Sequence, residues 1–94
     1  MNVRIVAVTL ALFAAACGPS VEDVCEMLDD DCYEVPYQEC VDDGERLESR
    51  AESRGCEEPF EAYLDCIQVE ECDWNSRCDY ERDALVACTG ESAW

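Results

Sequence analysis

The residues of this chain best suited to chemistry are its nine cysteines, spread over 94 residues. Thiol groups can form disulfides, hold a metal ion or act as nucleophiles. The chain contains no histidine and no Cys-x2-Cys pair, so the usual zinc and redox motifs are excluded. So high a cysteine content in a short chain is typical of an exported disulfide scaffold.

Catalysis needs a nucleophile held beside a base, and the sequence offers no standard pair. Neither histidine nor lysine occurs, so a serine or cysteine nucleophile would lack its usual base. Carboxylates are abundant, but a general acid needs a pocket that a chain of this size hardly provides. We therefore expect a protein that is not an enzyme, with no catalytic residue and no cofactor.

The charge of the chain excludes a further class of function. Its 24 acidic residues face only six arginines, which gives a formal net charge of −18. Nucleic-acid binding needs a basic surface that displaces counterions, so we expect no nucleic-acid partner. The apolar fraction of 49% nevertheless favours a folded domain over a disordered acidic tail.

The chain contains clusters of carboxylates, and carboxylate oxygens are ligands that calcium prefers. Acidic runs occupy residues 29–31 and 42–43, and the segment 73–81 vaguely resembles an EF-hand loop. In that segment Arg77 stands at a ligand position and Cys78 at the glycine position, so the resemblance fails. We expect solvated acidic clusters and no metal site.

The first residues of the chain have the pattern of an export signal. A head with one positive charge, residues 1–4, precedes residues 5–16, which are apolar except for Thr9. Twelve helical residues span about 18 Å, less than the ~30 Å core of a bilayer. Small residues follow, as a cleavage site requires. We therefore predict a signal peptide over residues 1–16.

The stretch Ala14-Ala15-Ala16-Cys17-Gly18 resembles the lipobox of bacterial lipoproteins. That resemblance implies cleavage before Cys17, lipid attachment to Cys17 and anchoring in a membrane through that lipid. Because Gly18 is not aspartate, it also implies the outer membrane of the cell envelope. The alternative is cleavage by the general signal peptidase after Ala16, which would release a soluble extracellular protein.

The number of cysteines agrees with lipid attachment. Nine is odd, and an exported domain rarely leaves a thiol unpaired. If Cys17 carries lipid, eight cysteines remain and can form four disulfides. The predicted organisation is a signal peptide at 1–16, a lipid-anchor tether at 17–20 and an acidic, disulfide-rich helical domain at 21–94.

Apolar residues recur at helical spacing along the mature chain. Val21, Val24, Cys25 and Leu28 follow an i, i+3, i+4, i+7 pattern, and no stretch alternates as a strand does. The predicted helices cover residues 21–31, 36–54, 58–71 and 77–88, with a loop at 73–77. The predicted fold class is all-α, a small disulfide-rich bundle of about four short helices.

Two segments of the second half share one cysteine spacing. CEEPFEAYLDC and CDYERDALVAC are both Cys-x9-Cys on predicted helices, and together they resemble the twin Cys-x9-Cys hairpin of CHCH-type proteins. That resemblance implies an antiparallel hairpin with nested disulfides, Cys56–Cys88 and Cys66–Cys78, and antiparallel helix geometry predicts the same nesting. For the four remaining cysteines we predict Cys32–Cys40 and Cys25–Cys72.

Arginines four residues apart share one face of the second predicted helix: Arg46, Arg50 and Arg54. They could contact an anionic group or a protein partner. Alternatively, they pair with nearby carboxylates and with the negative end of the helix dipole. Of the two tryptophans, Trp74 is expected in the core, whereas Trp94 ends a polar tail.

These observations predict a bacterial lipoprotein, anchored through Cys17, that acts as a structural or binding module without catalysis. The protein partner of such a module is not identified by the sequence. The alternative is a secreted, soluble, disulfide-rich protein that acts as an inhibitor or an effector.

Overall fold

The computed structural model describes residues 18–94. The predicted signal peptide and the predicted lipid attachment at Cys17 lie outside the described residues. Within residues 18–94 the protein is all-helical and contains no strand. Four helices of 10, 18, 14 and 11 residues form the body of the domain, which confirms the predicted fold class.

The helices follow one another through short connections. In chain order they are α1 (Val21–Asp30), α2 (Tyr37–Arg54), α3 (Glu57–Glu70), the 3-10 turn η1 (Glu71–Asp73), the single-turn α4 (Trp74–Arg77) and α5 (Asp79–Thr89). The bounds of the four long helices lie within one or two residues of the prediction. The predicted loop at 73–77 is wrong, because η1 and α4 carry the chain through that segment in helical turns. None of the helices in this part of the chain is long and apolar enough to cross a bilayer.

Local sequence signals set the ends of α1 and α2. Ser20 caps α1: its Oγ accepts from the backbone N–H of Asp23 at 3.1 Å, and the Asp23 carboxylate accepts from the Ser20 N–H at 3.2 Å. This reciprocal capping box satisfies two N–H groups that the first turn leaves unpaired. At its other end α2 stops at Gly55, whose φ of 71° lies in the left-handed region that glycine adopts without steric cost.

One face of each long helix packs into a single core. Tyr63 and Ile67 of α3 are fully buried at its centre, with Leu28 from α1 and Leu85 from α5. Trp74 is 5% exposed and is part of the same core, as the sequence predicts. Burial of one such apolar side chain contributes about 1.5–3 kcal/mol. Helix α3 contacts each of the other helices, so it is the central element of the domain.

The C-terminal segment packs against the helices, contrary to the expectation of a polar tail. The Trp94 ring lies over Gly44 of α2, and its centroid is 6.1 Å from that of Tyr63. The Tyr63 hydroxyl donates to the Trp94 carbonyl oxygen at 3.1 Å. Arg50 of α2 forms an ion pair with Glu91, so the segment is held by aromatic packing, a hydrogen bond and an ion pair together.

Replacing Gly44 by alanine is expected to destabilise the protein. A Cβ at this position would lie 2.5 Å from Cζ2 of Trp94 and 2.6 Å from Cγ1 of Val21. Overpacking of this kind costs about 1–3 kcal/mol, which outweighs the ~1 kcal/mol that alanine gains over glycine in a helix. We expect Gly44→Ala to lower the free energy of unfolding in chemical denaturation and to shift tryptophan fluorescence to the red. Ser49→Ala on the exposed side of α2 is the control, and a Gly44→Ala protein more stable than wild type contradicts the contact.

Candidate functional site

Two disulfides join α3 to α5 in an antiparallel hairpin. Cys56, which precedes α3, is bonded to Cys88 near the end of α5, with Cα atoms 6.1 Å apart. Cys66 in α3 is bonded to Cys78, which precedes α5, at 6.0 Å. The structure therefore contains both nested bonds that the twin Cys-x9-Cys spacing implies.

The other two predicted disulfides, Cys32–Cys40 and Cys25–Cys72, are wrong. The structure joins Cys25 with Cys40 and Cys32 with Cys72, at Cα separations of 5.6 and 5.4 Å. The connection between α1 and α2 reverses the direction of the chain. The middle of α1 then packs against the first turn of α2, so Cys25 and Cys40 meet in the core. Cys32 lies beyond the end of α1, where η1 brings Cys72 beside it.

The hairpin offers one arrangement of possible metal ligands, and the disulfide removes it. Ligand atoms of Cys66, Cys78 and Glu81 lie within 4.8 Å of one another. The two sulfur atoms are bonded to each other, so neither is a thiolate that could bind zinc. A single carboxylate then remains, which is not a metal site.

The three arginines proposed for partner contact lie in different surroundings. Arg46 forms an ion pair with Asp43 at 3.1 Å, and Arg50 pairs with Glu91. Arg54 is exposed at the end of α2 and forms no ion pair within residues 18–94. Intramolecular pairing therefore accounts for two of the three, although the Arg46 side chain stays 68% exposed, and Arg54 is the one without an ion pair in the described part of the chain.

A groove of about 280 Å³ lies between α2, α3 and the segment that leads into α1. Its lining residues are Gly18, Pro19, Ser20, Glu48, Ala51, Glu52, Glu57, Phe60, Glu61 and Leu64. This lining combines apolar side chains with four glutamates and contains no basic residue. The groove is therefore suited to cationic groups and disfavours anions.

Glu48 is the glutamate of this groove that the fold affects most. Partial burial raises its pKa, and the nearby carboxylates of Glu52, Glu22 and Glu45 raise it further. Burial disfavours the charged form of a carboxyl group, and like charges act in the same direction. The groove thus holds a carboxylate whose charge destabilises the folded state.

Replacing Glu48 by glutamine is expected to stabilise the protein at neutral pH. A carboxyl group with a raised pKa contributes stability that is fully present below its unfolded-state pKa, and this is lost as the pH rises through the folded-state pKa. Glutamine stays neutral, so Glu48→Gln should avoid the loss, and the gain should vanish below about pH 4. Thermal denaturation across this pH range measures it. Glu26→Gln, on an exposed site of α1, is the charge-matched control, and an equal gain in both variants contradicts the assignment.

Neither the groove nor the position of Trp94 is predictable from the sequence pattern. The groove is built from three separate segments that meet only in the folded chain. Gly44 is the one available signal, because a glycine within the apolar stripe of a helix leaves room for a close approach by another group.

Comparison with known proteins agrees with the hairpin geometry. No curated protein and no solved structure matches the chain. Residues 52–92 match the family model described as "CHCH-CHCH-like Cx9C, IMS import disulfide relay-system", and the matched segment contains both nested disulfides. Over that segment the chain is similar to twin Cys-x9-Cys proteins, and it is a small, disulfide-rich helical protein.

Proposed function

We propose that this protein is a non-catalytic module held at a membrane by lipid on Cys17. One observation carries the proposal: the eight cysteines that follow Cys17 form four disulfides among themselves. No cysteine of the chain is then left to pair with Cys17. Together with the sequence Ala14-Ala15-Ala16-Cys17-Gly18, this favours lipid attachment as the role of that thiol.

The start of the domain is compatible with such an anchor. Gly18 and Pro19 lead directly to Ser20, the residue that caps α1. Three residues span at most about 11 Å, so a lipid on Cys17 would hold the domain close to the membrane. Several acyl chains give stable anchoring, because each buried CH2 contributes about 0.8 kcal/mol.

The absence of histidine and lysine from the sequence supports a binding or structural role rather than catalysis. Two surfaces are available for a partner: the acidic groove between α2 and α3, and the end of α2 at Arg54. They have opposite charge, so they would suit different groups on a partner.

The mass of the N-terminal peptide tests the anchor. The full chain is expressed in a Gram-negative bacterium, and the membrane fraction is digested and measured. We expect a peptide that begins at Cys17 and carries three acyl chains, whereas Cys17→Ser should lack the acyl mass and keep its four disulfides. Gly18→Asp should move the acylated protein from the outer to the inner membrane. An unmodified N-terminal cysteine in the soluble fraction would contradict anchoring and support the secreted alternative.

The similarity over residues 52–92 favours a second candidate function. The matching family is described by an import disulfide relay, and the second candidate is therefore a protein whose bonds are formed by such a relay after transport. That candidate requires no lipid on Cys17. An N-terminal peptide with acyl mass therefore contradicts the relay candidate, whereas a peptide without it removes the lipid anchor and is compatible with both the relay candidate and the secreted alternative.

A further inference from the structure

The Cys32–Cys72 disulfide differs from the other three bonds in its exposure. Each of the others contains at least one fully buried cysteine, namely Cys25, Cys40, Cys56 or Cys78, although Cys88, the partner of Cys56, is itself exposed. In contrast, Cys72 is exposed and Cys32 is only partly buried. Thiol–disulfide exchange requires a thiolate to approach one sulfur directly, so the Cys32–Cys72 bond is the one that a thiol in solution reaches first.

The backbone on both sides of this bond is strained. Tyr33, directly after Cys32, has a φ of 54°, and Glu71, directly before Cys72, has a φ of 56°. They are the two non-glycine residues with positive φ within residues 18–94. Side chains with a Cβ adopt this region only at a cost in free energy. Opening the bond would let both residues relax, which favours the open form.

The residues next to this bond bury little side-chain surface. No residue of η1 is buried, and the Tyr33 side chain is 86% exposed. A backbone hydrogen bond from Glu34 to Leu28, at 3.1 Å, ties the connection to α1. The other three disulfides link α1 to α2 and α3 to α5, so opening Cys32–Cys72 should leave the core in place.

The surroundings of the bond are strongly acidic. A groove of about 340 Å³ beside it is lined by Asp23, Glu26, Met27, Asp30, Asp31, Gln68 and Glu71. The Met27 sulfur lies 3.7 Å from the sulfur of Cys32, which places this groove against the bond. No basic residue is among the lining set, so an anionic thiol is repelled and a cationic one attracted.

We propose that Cys32–Cys72 is a site of thiol–disulfide exchange that prefers cationic thiols. The thiolate of the incoming thiol attacks the Cys72 sulfur and forms a mixed disulfide. The Cys32–Cys72 bond breaks, and its electron pair leaves on the Cys32 sulfur, which takes a proton from water. A second thiol that attacks the mixed disulfide releases Cys72 as a thiol, so two thiols are oxidised to a disulfide as the protein bond is reduced.

Graded reduction followed by alkylation and peptide mapping tests the site. The oxidised protein is treated with limiting cysteamine and quenched with iodoacetamide at successive times. We expect Cys32 and Cys72 to be labelled first, about tenfold faster than the other pairs, because neither cysteine of this bond is fully buried and exchange depends on access to the sulfur. Equal labelling of all four pairs, or earlier labelling of Cys56 and Cys88 or of Cys66 and Cys78, overturns the proposal.

The charge preference has its own measurement. Cysteamine and 2-mercaptoethanesulfonate are compared at equal thiolate concentration, first at low and then at high salt. We expect the cationic thiol to react severalfold faster at low salt. The two rates should converge as salt screens the carboxylates of the groove beside Cys32–Cys72. Equal rates at low salt overturn the preference for cationic thiols.

Two variants separate local chemistry from a general loss of stability. Asp31→Asn should reduce the ratio of the two rates, whereas Asp83→Asn, which makes the same charge change outside this groove, should leave it unchanged. Tyr33→Gly removes the steric cost of a positive φ and should slow reduction by either thiol. If Asp83→Asn changes the ratio as much as Asp31→Asn, the net charge of the protein decides the rate and the proposed site does not.

Discussion

Removing the Cys56–Cys88 disulfide by replacing both cysteines with alanine is expected to lower the free energy of unfolding by about 3–4 kcal/mol. The bond joins residues 32 positions apart, and closing a loop of this length removes much conformational freedom from the unfolded chain. Small domains are stable by only about 5–15 kcal/mol, so a large share of the stability should depend on this one bond. Denaturation by guanidinium chloride, monitored by circular dichroism, measures the loss.

The Cys66–Cys78 bond of the same hairpin is the matched control. It spans 12 positions, so the same entropy argument predicts a loss smaller by about 1 kcal/mol. Both variants remove one bond between α3 and α5 and leave no free thiol. Equal losses, or a larger loss at Cys66–Cys78, would show that packing around the sulfur atoms outweighs loop length.

The net charge makes the bonds more important than loop entropy alone suggests. A formal charge of −18 favours expanded states, in which the carboxylates lie farther apart. Disulfides limit that expansion whatever the ionic strength, whereas the three ion pairs within residues 18–94 are each at least partly exposed and contribute little. The covalent bonds and the core around α3 therefore carry most of the resistance to unfolding.

Helix bounds were predictable because they depend on neighbouring residues. The stripe that begins at Val21, the capping residue Ser20 and the stop at Gly55 each act within a turn or two of their own position. The nested bonds were predictable for a related reason. The 12 positions between Cys66 and Cys78 are too few for a parallel crossover, so the two helices must be antiparallel, and equal cysteine spacing then pairs the outer cysteines and the inner ones.

Features that depend on contacts between distant segments were not predictable. The partners of Cys25 and Cys32 depend on where η1 places Cys72. The sequence predicts a loop over residues 73–77, directly after Cys72, and a loop does not define the position of that cysteine. Trp94 follows no helical pattern, so its place over Gly44 could not be read from periodicity. The groove between α2, α3 and the segment that leads into α1 forms only when these three parts of the chain meet in the fold.

Replacing Tyr63 by alanine is expected to lower the free energy of unfolding by about 3–5 kcal/mol, as for other large aromatic side chains in a core. The side chain is fully buried, and its ring packs against that of Trp94. Its removal would leave a cavity at the centre of α3 and free the C-terminal segment. Chemical denaturation measures the loss, and tryptophan fluorescence reports the release of Trp94.

Tyr63→Phe separates the hydroxyl group from the ring. Phenylalanine keeps the packing but loses the hydrogen bond to the Trp94 carbonyl oxygen, so we expect a loss of about 1 kcal/mol. If both variants lose the same amount, the hydrogen bond rather than the packed ring holds the C-terminal segment, and the argument from cavity formation fails.

The pH dependence of the Tyr63→Phe comparison gives an independent check of burial. Burial raises the pKa of Tyr63, and nearby Arg82 lowers it by less. A phenol with a raised pKa contributes stability that is fully present below its unfolded-state pKa of about 10 and is lost as the pH rises through the folded-state pKa. The advantage of wild type over Tyr63→Phe should therefore shrink in alkaline solution. An advantage that stays constant above about pH 10 would mean that the phenol is as solvated in the folded protein as in the unfolded chain, and Tyr63 could not then lie at the centre of the core.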